Sequence, residues 1–131
     1  MIIQSGVDII EIMRFEEQKP EIRSRFFTRV FTVRELTLIR NSTISAAGRF
    51  AAKEAVAKAL GCGIGEVHWQ DIEILQGKNG EPFLILHAKA QEISTALGLD
   101  AWSLSISHSK QYAVAFAVAI GSSPKAENHD P

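Results

Sequence analysis

Residues 46–60 read AAGRFAAKEAVAKAL, and this stretch has the strongest helical pattern in the chain. Alanine, leucine, lysine and glutamate dominate it, and these residue types have high intrinsic helix propensities. Gly61 follows directly, at the position where glycine commonly ends a helix in a left-handed conformation. Because alanine projects so little side chain, the helix is predicted to approach its neighbours closely on most of its faces.

A strand and a hairpin are predicted on either side of this helix. Residues 2–10 are rich in β-branched side chains, which favours an N-terminal strand. Residues 71–75 and 83–86 are predicted to be two further strands, joined by a turn that contains Asn79 and Gly80. Asn-Gly is the strongest short-range signal for a β-hairpin, so these two segments are expected to pair in antiparallel fashion.

Two alternating segments near the C-terminus predict the rest of the sheet. In residues 102–107 serines alternate with Leu104 and Ile106, and in residues 112–120 large side chains alternate with alanines. Because successive side chains of a strand point to opposite faces, the last segment presents an all-alanine face. This pattern predicts a central strand with a helix packed closely on that face.

Helices and antiparallel strands together predict an α+β fold, a single domain in which a mainly antiparallel sheet packs on a long central helix. The spacing of Thr32 and Glu35 is that of a capping box, so a short helix is expected to begin there. Another helix is predicted over residues 88–97. The domain is predicted to span residues 1–120, and the polar residues 121–131 are predicted to form a disordered tail.

Composition narrows the functional classes. The 131 residues are 46% hydrophobic and 22% charged, with a formal net charge of -1, so no overall attraction to nucleic acid or to an anionic membrane is expected. No apolar run reaches the roughly 18 residues of a membrane span, and the N-terminus has no signal-peptide pattern. The single cysteine, Cys62, excludes an intrachain disulfide and suits a reducing compartment. A cytoplasmic location is therefore expected.

Three ionisable residues stand out from the pattern of the core. Asp8 lies in an apolar strand, where a buried carboxylate needs a cation, hydrogen bonds or exposure at an edge. Glu54 and Lys58 are one helical turn apart and share a helix face within an alanine-rich run. For Asp8, a structural ion pair and a metal or ligand contact both remain open. The helical pair is either an ordinary surface pair or is directed into a cleft.

Two other features also have both a structural and a functional interpretation. His108 ends the strand predicted over residues 102–107, where it is either a hydrogen-bonded structural residue or a contact for phosphate or hydroxyl groups. A basic stripe without intervening acidic residues is either a solvated helix face or a surface for an acidic partner. This stripe consists of Arg23, Arg25, Arg29 and Arg34.

Three blocks, in order and at the expected spacing, make the sequence similar to the holo-acyl-carrier-protein synthase family of phosphopantetheinyl transferases. The blocks are GVDIIEI (residues 6–12) with Arg14, GRFAAKEA (48–55) with KALG (58–61), and SISHS (105–109) with Tyr112 and Ala113. The resemblance extends over roughly residues 1–120. Each block alone is moderate support, whereas all three in order are a strong indication of this family.

The resemblance implies a magnesium-dependent transfer of 4'-phosphopantetheine from coenzyme A to a serine of apo acyl carrier protein, in support of fatty acid biosynthesis. Asp8 and Glu54 would bind a Mg²⁺ ion that also contacts the pyrophosphate, which suits the preference of Mg²⁺ for a few hard oxygen ligands. The serine hydroxyl would attack phosphorus and expel 3',5'-ADP. Glu54, or a water that it orients, is the implied general base, and Lys58 is implied to stabilise the transferring phosphate.

The resemblance also implies the contacts to both substrates. Those implied for coenzyme A are Lys53, the loop residues Gly61, Cys62 and Gly63, and Ser107 and His108 at the nucleotide end. Those implied for the acidic recognition helix of the carrier protein are Arg14, Arg23, Arg25 and Arg29. The family is typically a homotrimer with its sites at subunit interfaces, so neighbouring chains are expected to complete each site.

Alternatives outside this activity are a purely structural oligomer and a module that binds coenzyme A or the carrier without chemistry. A binding module has no need of the carboxylates of Asp8 and Glu54, so their joint presence argues against it. The same chemistry on a polyketide-type carrier is a further alternative, which the sequence does not separate from the first. Two departures from the family pattern are Cys62, where many relatives have a small hydroxyl residue, and a short connection over residues 41–47.

Overall fold

The computed structural model describes residues 1–122, which contain five strands, five α-helices and one 3-10 helix. The strands are β1 (Ile2–Glu11), β2 (Ile72–Gln76), β3 (Pro82–Leu86), β4 (Ala101–His108) and β5 (Tyr112–Gly121). The helices are α1 (Met13–Glu16), α2 (Pro20–Val30), α3 (Val33–Ile39), α4 (Thr43–Leu60) and α5 (Ala88–Ala96), with the 3-10 helix at Trp69–Asp71. The predicted α+β class is confirmed.

The predicted tail falls almost entirely outside the described residues. Gly121 is the last residue of β5, one position beyond the predicted end of the domain, and residues 123–131 are not among those that the structure describes. No helix within residues 1–122 is long and apolar enough to cross a membrane.

The long helix α4 packs on a three-stranded antiparallel sheet, ordered β1–β5–β4. β5 is the central strand, as its alternation predicts, and all four alanines of its inner face are buried, namely Ala113, Ala115, Ala117 and Ala119. α4 contacts both β1 and β5 extensively through its own alanines. Since small side chains line both partners, helix and sheet approach each other closely.

β1 and α4 are in direct backbone contact at Gly6. A Cβ atom at this position would overlap the carbonyl oxygen of Ala55 and lie 2.9 Å from the backbone nitrogen of Ala59. Backbone atoms of a helix cannot move aside individually, so a larger residue would have to displace the whole helix. Packing therefore requires glycine here, two positions before Asp8 on the same strand.

The other face of the sheet is apolar and exposed in the single chain. Its exposed large side chains are Ile3, Val7 and Ile9 of β1 and Tyr112, Phe116 and Ile120 of β5. They are neighbours across the strands, because Val7 pairs with Phe116 and Ile3 pairs with Ile120. We name this group the outer sheet face. A contiguous apolar surface of this kind commonly marks an interaction site.

α4 begins three residues earlier than the sequence pattern predicts. The side chain of Ser42 is the N-cap and accepts a hydrogen bond from the backbone N–H of Ser45 at 3.1 Å. The polar run before the alanines resembles a break because serine, threonine and asparagine favour both turns and helix caps. In this chain these residues form the cap and first turn of the helix.

The hairpin β2–β3 forms a separate two-stranded sheet, with the predicted Asn79-Gly80 turn between its strands. The predicted capping box of Thr32 and Glu35 is present at the start of α3. Aromatic rings at mutual distances of 4.8–6.4 Å pack α1 and α2 onto α4 and the 3-10 helix. These rings belong to Phe15, Phe26, Phe27, Phe50 and Trp69.

A buried carboxylate, Glu73 of β2, ties the hairpin to α3. It accepts hydrogen bonds from Thr32 Oγ1 at 2.6 Å and Arg34 Nη2 at 2.7 Å, and His87 Nε2 lies 3.0 Å away. Burial alone would raise the pKa of Glu73, but hydrogen bonds from Arg34, Thr32 and His87 outweigh it and, with the charge of Arg34, lower the pKa to about 2. Folding therefore favours the ionised form of this side chain.

Acid is consequently expected to destabilise the fold through Glu73. Its contribution is complete above the pKa of an unfolded glutamate, about 4.5, and is lost as the pH falls towards 2. Urea unfolding between pH 6 and pH 2.5 should therefore give a much flatter pH dependence for Glu73→Gln than for the unmodified protein. The exposed Glu92→Gln is the matched control, and parallel curves for Glu73→Gln and the unmodified protein would contradict the assignment.

Candidate active site

Asp8 lies on the side of β1 that contacts α4 and forms an ion pair with Lys58. Lys58 Nζ is 3.2 Å from Asp8 Oδ1 and also donates to the carbonyl oxygen of Val7 at 2.9 Å. The side chain of Asp8 is 20% exposed and that of Lys58 is 53% exposed. The ion pair considered from the sequence is thus present, at an edge where a ligand can reach both groups.

Glu54 joins this pair from the preceding turn of α4 and is half-buried. Burial raises the pKa of Glu54, the negative charge of Asp8 raises it further, and the positive charges of Lys58 and Arg14 oppose the shift. The guanidinium of Arg14 lies over the ring of Phe50, with 5.8 Å between its carbon and the ring centroid. One strand, one helix and the start of α1 therefore bring two carboxylates and two cations into a single electrostatic cluster.

The carboxylates of Asp8 and Glu54 fit a hard divalent cation. Both carboxylates are partly buried and repel each other, and a cation bound to both would relieve that repulsion. Within residues 1–122 no group of three or more His, Cys, Asp or Glu side chains could hold a metal by itself. Mg²⁺ commonly takes one or two carboxylates and completes its coordination with water and substrate phosphates, so this pair beside open water suits it.

The loop after α4 exposes backbone and turns its one reactive side chain inwards. Gly61 has a φ of 74°, and the N–H of Cys62 donates to the carbonyl oxygen of Ala57 at 3.1 Å, which ends the helix in a Schellman motif. The thiol of Cys62 lies 3.7 Å from the same oxygen, and burial, followed by the charge of Glu66, raises its pKa. A Cβ atom at Gly63 would meet no other atom of the chain within 4 Å, so the backbone there is open to a ligand.

Ser107 and His108 do not lie beside the carboxylates within one chain. Asp8 pairs with Ala115 of β5, which pairs with Ile106 of β4, so one whole strand separates Asp8 from β4. The usual strand spacing and rise place His108 roughly 12 Å from Asp8. Ser107 points to the side of the sheet opposite to Asp8. Both residues are exposed, and their predicted contact with coenzyme A stays a prediction.

The prediction that Lys53 contacts coenzyme A is wrong. Lys53 is fully buried, and its ammonium group donates to Glu35 Oε1 at 2.8 Å, to the carbonyl oxygen of Trp69 at 3.0 Å and to that of Ile72. All three N–H bonds are used within the chain, so none remains for a ligand. Consecutive residues of a helix point about 100° apart, and Lys53 therefore faces the hairpin whereas Glu54 faces Asp8.

The predicted arginine stripe does not form one surface: Arg34 belongs to α3 and binds Glu73, and the other three arginines are divided between two sides of α2. Arg25 and Arg29 are exposed and one turn apart, on a face that also carries the exposed Ile22. Arg23 lies on another face, where its Nη1 donates to the carbonyl oxygen of Phe15 at 3.1 Å. Arg23 thus has a structural partner, and Arg25 and Arg29 are the members of the stripe that share one open surface.

Glu35 and Glu73 are among the buried carboxylates that sequence reasoning missed. The capping box identified Glu35 only in its local role at the start of α3, although its Oε2 also accepts the N–H of Ile74 at 2.7 Å. For Glu73 the sequence carried one signal, a carboxylate between Ile72 and Ile74 in a segment otherwise suited to a buried strand. Neither signal names the partners, which lie on other elements.

Comparison with known proteins identifies the family. The model of the 4'-phosphopantetheinyl transferase superfamily matches residues 4–117. A holo-[acyl-carrier-protein] synthase of Natranaerobius thermophilus is 48% identical over 121 residues, which are 90% of this chain and 97% of that protein. Fold and site thus define a phosphopantetheinyl transferase.

Solved structures agree with this assignment. The Helicobacter pylori holo-[acyl-carrier-protein] synthase in complex with coenzyme A is 33% identical, with a TM-score of 0.79 over 88% of this chain and 99% of that one. A Bacillus anthracis holo-(acyl-carrier-protein) synthase in complex with CoA (3',5'-ADP) is 38% identical, with a TM-score of 0.73 over 91% and 96% of the two chains. The chain belongs to the holo-[acyl-carrier-protein] synthase family, and the resemblance found in the sequence is confirmed.

Proposed function

We propose that this chain transfers the 4'-phosphopantetheine group of coenzyme A to a serine of apo acyl carrier protein. The observation that carries the proposal is the cluster of Asp8, Glu54 and Lys58 in a member of a family whose relatives bind coenzyme A. A module that only binds coenzyme A or the carrier has no use for two mutually repelling carboxylates. We place the reaction in the cytoplasm, in support of fatty acid biosynthesis.

The chemical step follows from the roles that these side chains can take. The serine Oγ forms a bond to the phosphorus next to pantetheine, the bond from that phosphorus to the bridging oxygen breaks, and its electron pair leaves with 3',5'-ADP. The hydroxyl proton passes to Glu54 or to a water that Glu54 orients. Burial and the charge of Asp8 raise the pKa of Glu54, whereas a Mg²⁺ ion bound to both carboxylates would oppose that shift.

Asp8 and Glu54 are the residues that would hold Mg²⁺, as their charges and partial exposure suit it. Bound there together with the pyrophosphate, Mg²⁺ supplies charge neutralisation at the phosphate oxygens. Lys58, with its ammonium already 3.2 Å from Asp8 Oδ1, is placed to contact the same oxygens. The open backbone of the Gly61–Gly63 loop at the end of α4 is the proposed contact for the rest of coenzyme A.

We also infer a homotrimer in which neighbouring subunits complete each site. Two observations support association between subunits, and the number three comes from the family resemblance. The outer sheet face leaves six large apolar side chains exposed in one chain, which is unfavourable in water. His108 lies roughly 12 Å from Asp8, and Ser107 lies on the opposite side of the sheet. A second subunit packed against this part of the sheet is the simplest way to bring both residues to a nucleotide.

The carrier protein is proposed to dock on the exposed face of α2. Arg25 and Arg29 supply positive charge for an acidic helix, and Ile22, one turn before Arg25, supplies an apolar contact on the same face. An open groove of about 550 Å³ runs alongside and is lined in part by these three residues. Arg14, unlike Arg25 and Arg29, lies close enough to Glu54 for its charge to act on that carboxylate. It is therefore proposed to guide the carrier serine towards Asp8, Glu54 and Lys58.

Charge reversal on this face should weaken carrier recognition in a salt-dependent way. Arg25→Glu is expected to raise the KM for the carrier about tenfold at low salt while kcat stays within about twofold. The effect should shrink at about 1 M salt, where charges are screened beyond roughly 3 Å. Lys78→Glu, in the exposed β2–β3 turn, makes the same charge change elsewhere and is the control. Identical KM values for the Arg25 variant and the control at every salt concentration would show that docking takes place on another surface.

Intact-mass spectrometry of an apo carrier protein incubated with the enzyme, coenzyme A and Mg²⁺ tests the proposed function. A mass gain of one phosphopantetheine, abolished by a chelator, is the expected result. A fatty-acid-type and a polyketide-type carrier assayed in parallel would reveal the preferred substrate. No gain on either carrier, with a folded protein that binds coenzyme A, would favour the binding module instead.

A further inference from the structure

Lys53 and Glu35 form a buried ion pair that the chemistry does not use. Both residues are fully buried, and their charged groups are 2.8 Å apart. The two remaining N–H bonds of Lys53 go to the carbonyl oxygens of Trp69 and Ile72, in the 3-10 helix and at the start of β2. One side chain of α4 therefore holds three other segments at once.

Glu35 is anchored just as firmly on its own side. Its Oε1 accepts the N–H of Thr32 at 2.9 Å, and its Oε2 accepts the N–H of Ile74 at 2.7 Å. The carboxylate is thus fixed to the start of α3 and to the middle of β2 before Lys53 reaches it. Since all three N–H bonds of Lys53 are used, a large slide or turn of α4 about its axis would break part of this set of hydrogen bonds.

Stability alone does not explain such a pair. A buried ion pair commonly contributes no more to the free energy of folding than apolar residues of the same volume. Its hydrogen bonds are directional, however, whereas the alanine contacts between α4 and the sheet offer few interlocking side chains to define how far the helix slides or turns. Lys53 is also the immediate neighbour of Glu54, so a turn of the helix at Lys53 moves Glu54 by the same angle.

We propose that Lys53 and Glu35 are positioning residues, which hold α4 at the height and rotation that place Glu54 and Lys58 opposite Asp8. This inference rests on the proposed function, since it assigns the consequence of the pair to the transfer site. The pair touches neither substrate nor metal and acts only through the placement of the helix.

The test replaces both charges together, because a single substitution leaves the other charge buried without a partner. The double variant Lys53→Met with Glu35→Gln removes the ion pair at nearly constant volume. Its free energy of unfolding should fall, because the carbonyl oxygens of Trp69 and Ile72 lose their Lys53 donor, but it is expected to fold cooperatively. It should bind Mn²⁺ in the presence of coenzyme A about tenfold more weakly by electron paramagnetic resonance, and lose about tenfold in kcat. The KM for the carrier should stay unchanged.

Arg34→Met is the matched control, because Arg34 donates its hydrogen bonds to Glu73 in the adjacent network and not to Lys53 or Glu35. It should keep the Mn²⁺ affinity and kcat of the unmodified protein. A folded double variant with unchanged Mn²⁺ affinity and kcat would overturn the positioning role, and so would a double variant that cannot fold, because the pair would then serve stability. Absence of transfer in the unmodified protein would instead count against the proposed function, while the Mn²⁺ measurement would still decide the role of the pair.

Discussion

Asp8→Ala and Glu54→Ala should each lower kcat for phosphopantetheine transfer by at least about a thousandfold. Each substitution removes half of the protein's contribution to a Mg²⁺ site, and charge neutralisation by such an ion accounts for several kcal/mol of transition-state stabilisation. Glu54→Ala also removes the proposed base. Neither substitution should unfold the protein, because both side chains are partly exposed to water and neither belongs to the apolar core.

The measurement is the initial rate of mass gain on apo carrier protein, at saturating coenzyme A and over a range of Mg²⁺ concentrations. Glu11→Ala is a suitable control, since it removes an exposed carboxylate from the same strand as Asp8. Circular dichroism and urea unfolding check that each variant is folded. Turnover near that of the unmodified protein in both variants would contradict the assignment of Asp8 and Glu54 as metal-binding carboxylates.

Gly6→Ala should be among the most destabilising single-methyl substitutions within residues 1–122. The added Cβ would overlap the carbonyl oxygen of Ala55, and Lys58 Cβ would lie 2.9 Å away, so β1 and α4 must separate. Overpacking against side chains typically costs about 1–3 kcal/mol, and a contact with rigid helical backbone belongs at or above the upper end of that range. Since Asp8 is on β1 and Glu54 on α4, the variant should also lose activity even where it remains folded.

Urea unfolding and transfer kinetics of Gly6→Ala test this expectation together. Gly63→Ala is the control for stability, because a Cβ atom at Gly63 meets nothing within 4 Å in the chain. The free energy of unfolding should fall by about 3 kcal/mol or more for Gly6→Ala and remain nearly unchanged for Gly63→Ala. Equal stability of the two variants would mean that β1 and α4 are less closely packed than the structure indicates.

The contact between α4 and the sheet could be predicted from the sequence because it depends on local patterns. Alternation of large side chains and alanine in residues 112–120 specified both the central strand and its close-packed face. The hairpin turn and the capping box at Thr32 are likewise signals within a few residues. Such signals are reliable because the physical interaction and the sequence pattern occupy the same short segment.

The fate of Lys53 could not be predicted in this way. Its partners Glu35, Trp69 and Ile72 are 18, 16 and 19 residues distant along the chain, and a lysine on a helix is ordinarily solvated. For the same reason the stripe of arginines gave no indication that Arg23 faces Phe15. Asp8, Glu54 and Lys58 each stood out locally, but only the family resemblance joined them into one site, because the sequence keeps Asp8 far from the other two.

The alanines between α4 and β5 fix the distance between the helix and the sheet, and so limit how far the residues of the transfer site can move apart. In most helix–sheet layers, bulky side chains set the spacing, and one substitution can be compensated by a neighbour that changes rotamer. Here the distance between helix and sheet is set by alanine methyl groups and by backbone atoms, which have no alternative rotamers. A displacement of catalytic groups by about 1 Å can reduce a reaction rate a hundredfold. Substitutions in α4 and β5 should therefore be tolerated mainly at positions whose side chains do not lie between the two elements. The surface that carries recognition can then change its partner while the distance between the two carboxylates is conserved.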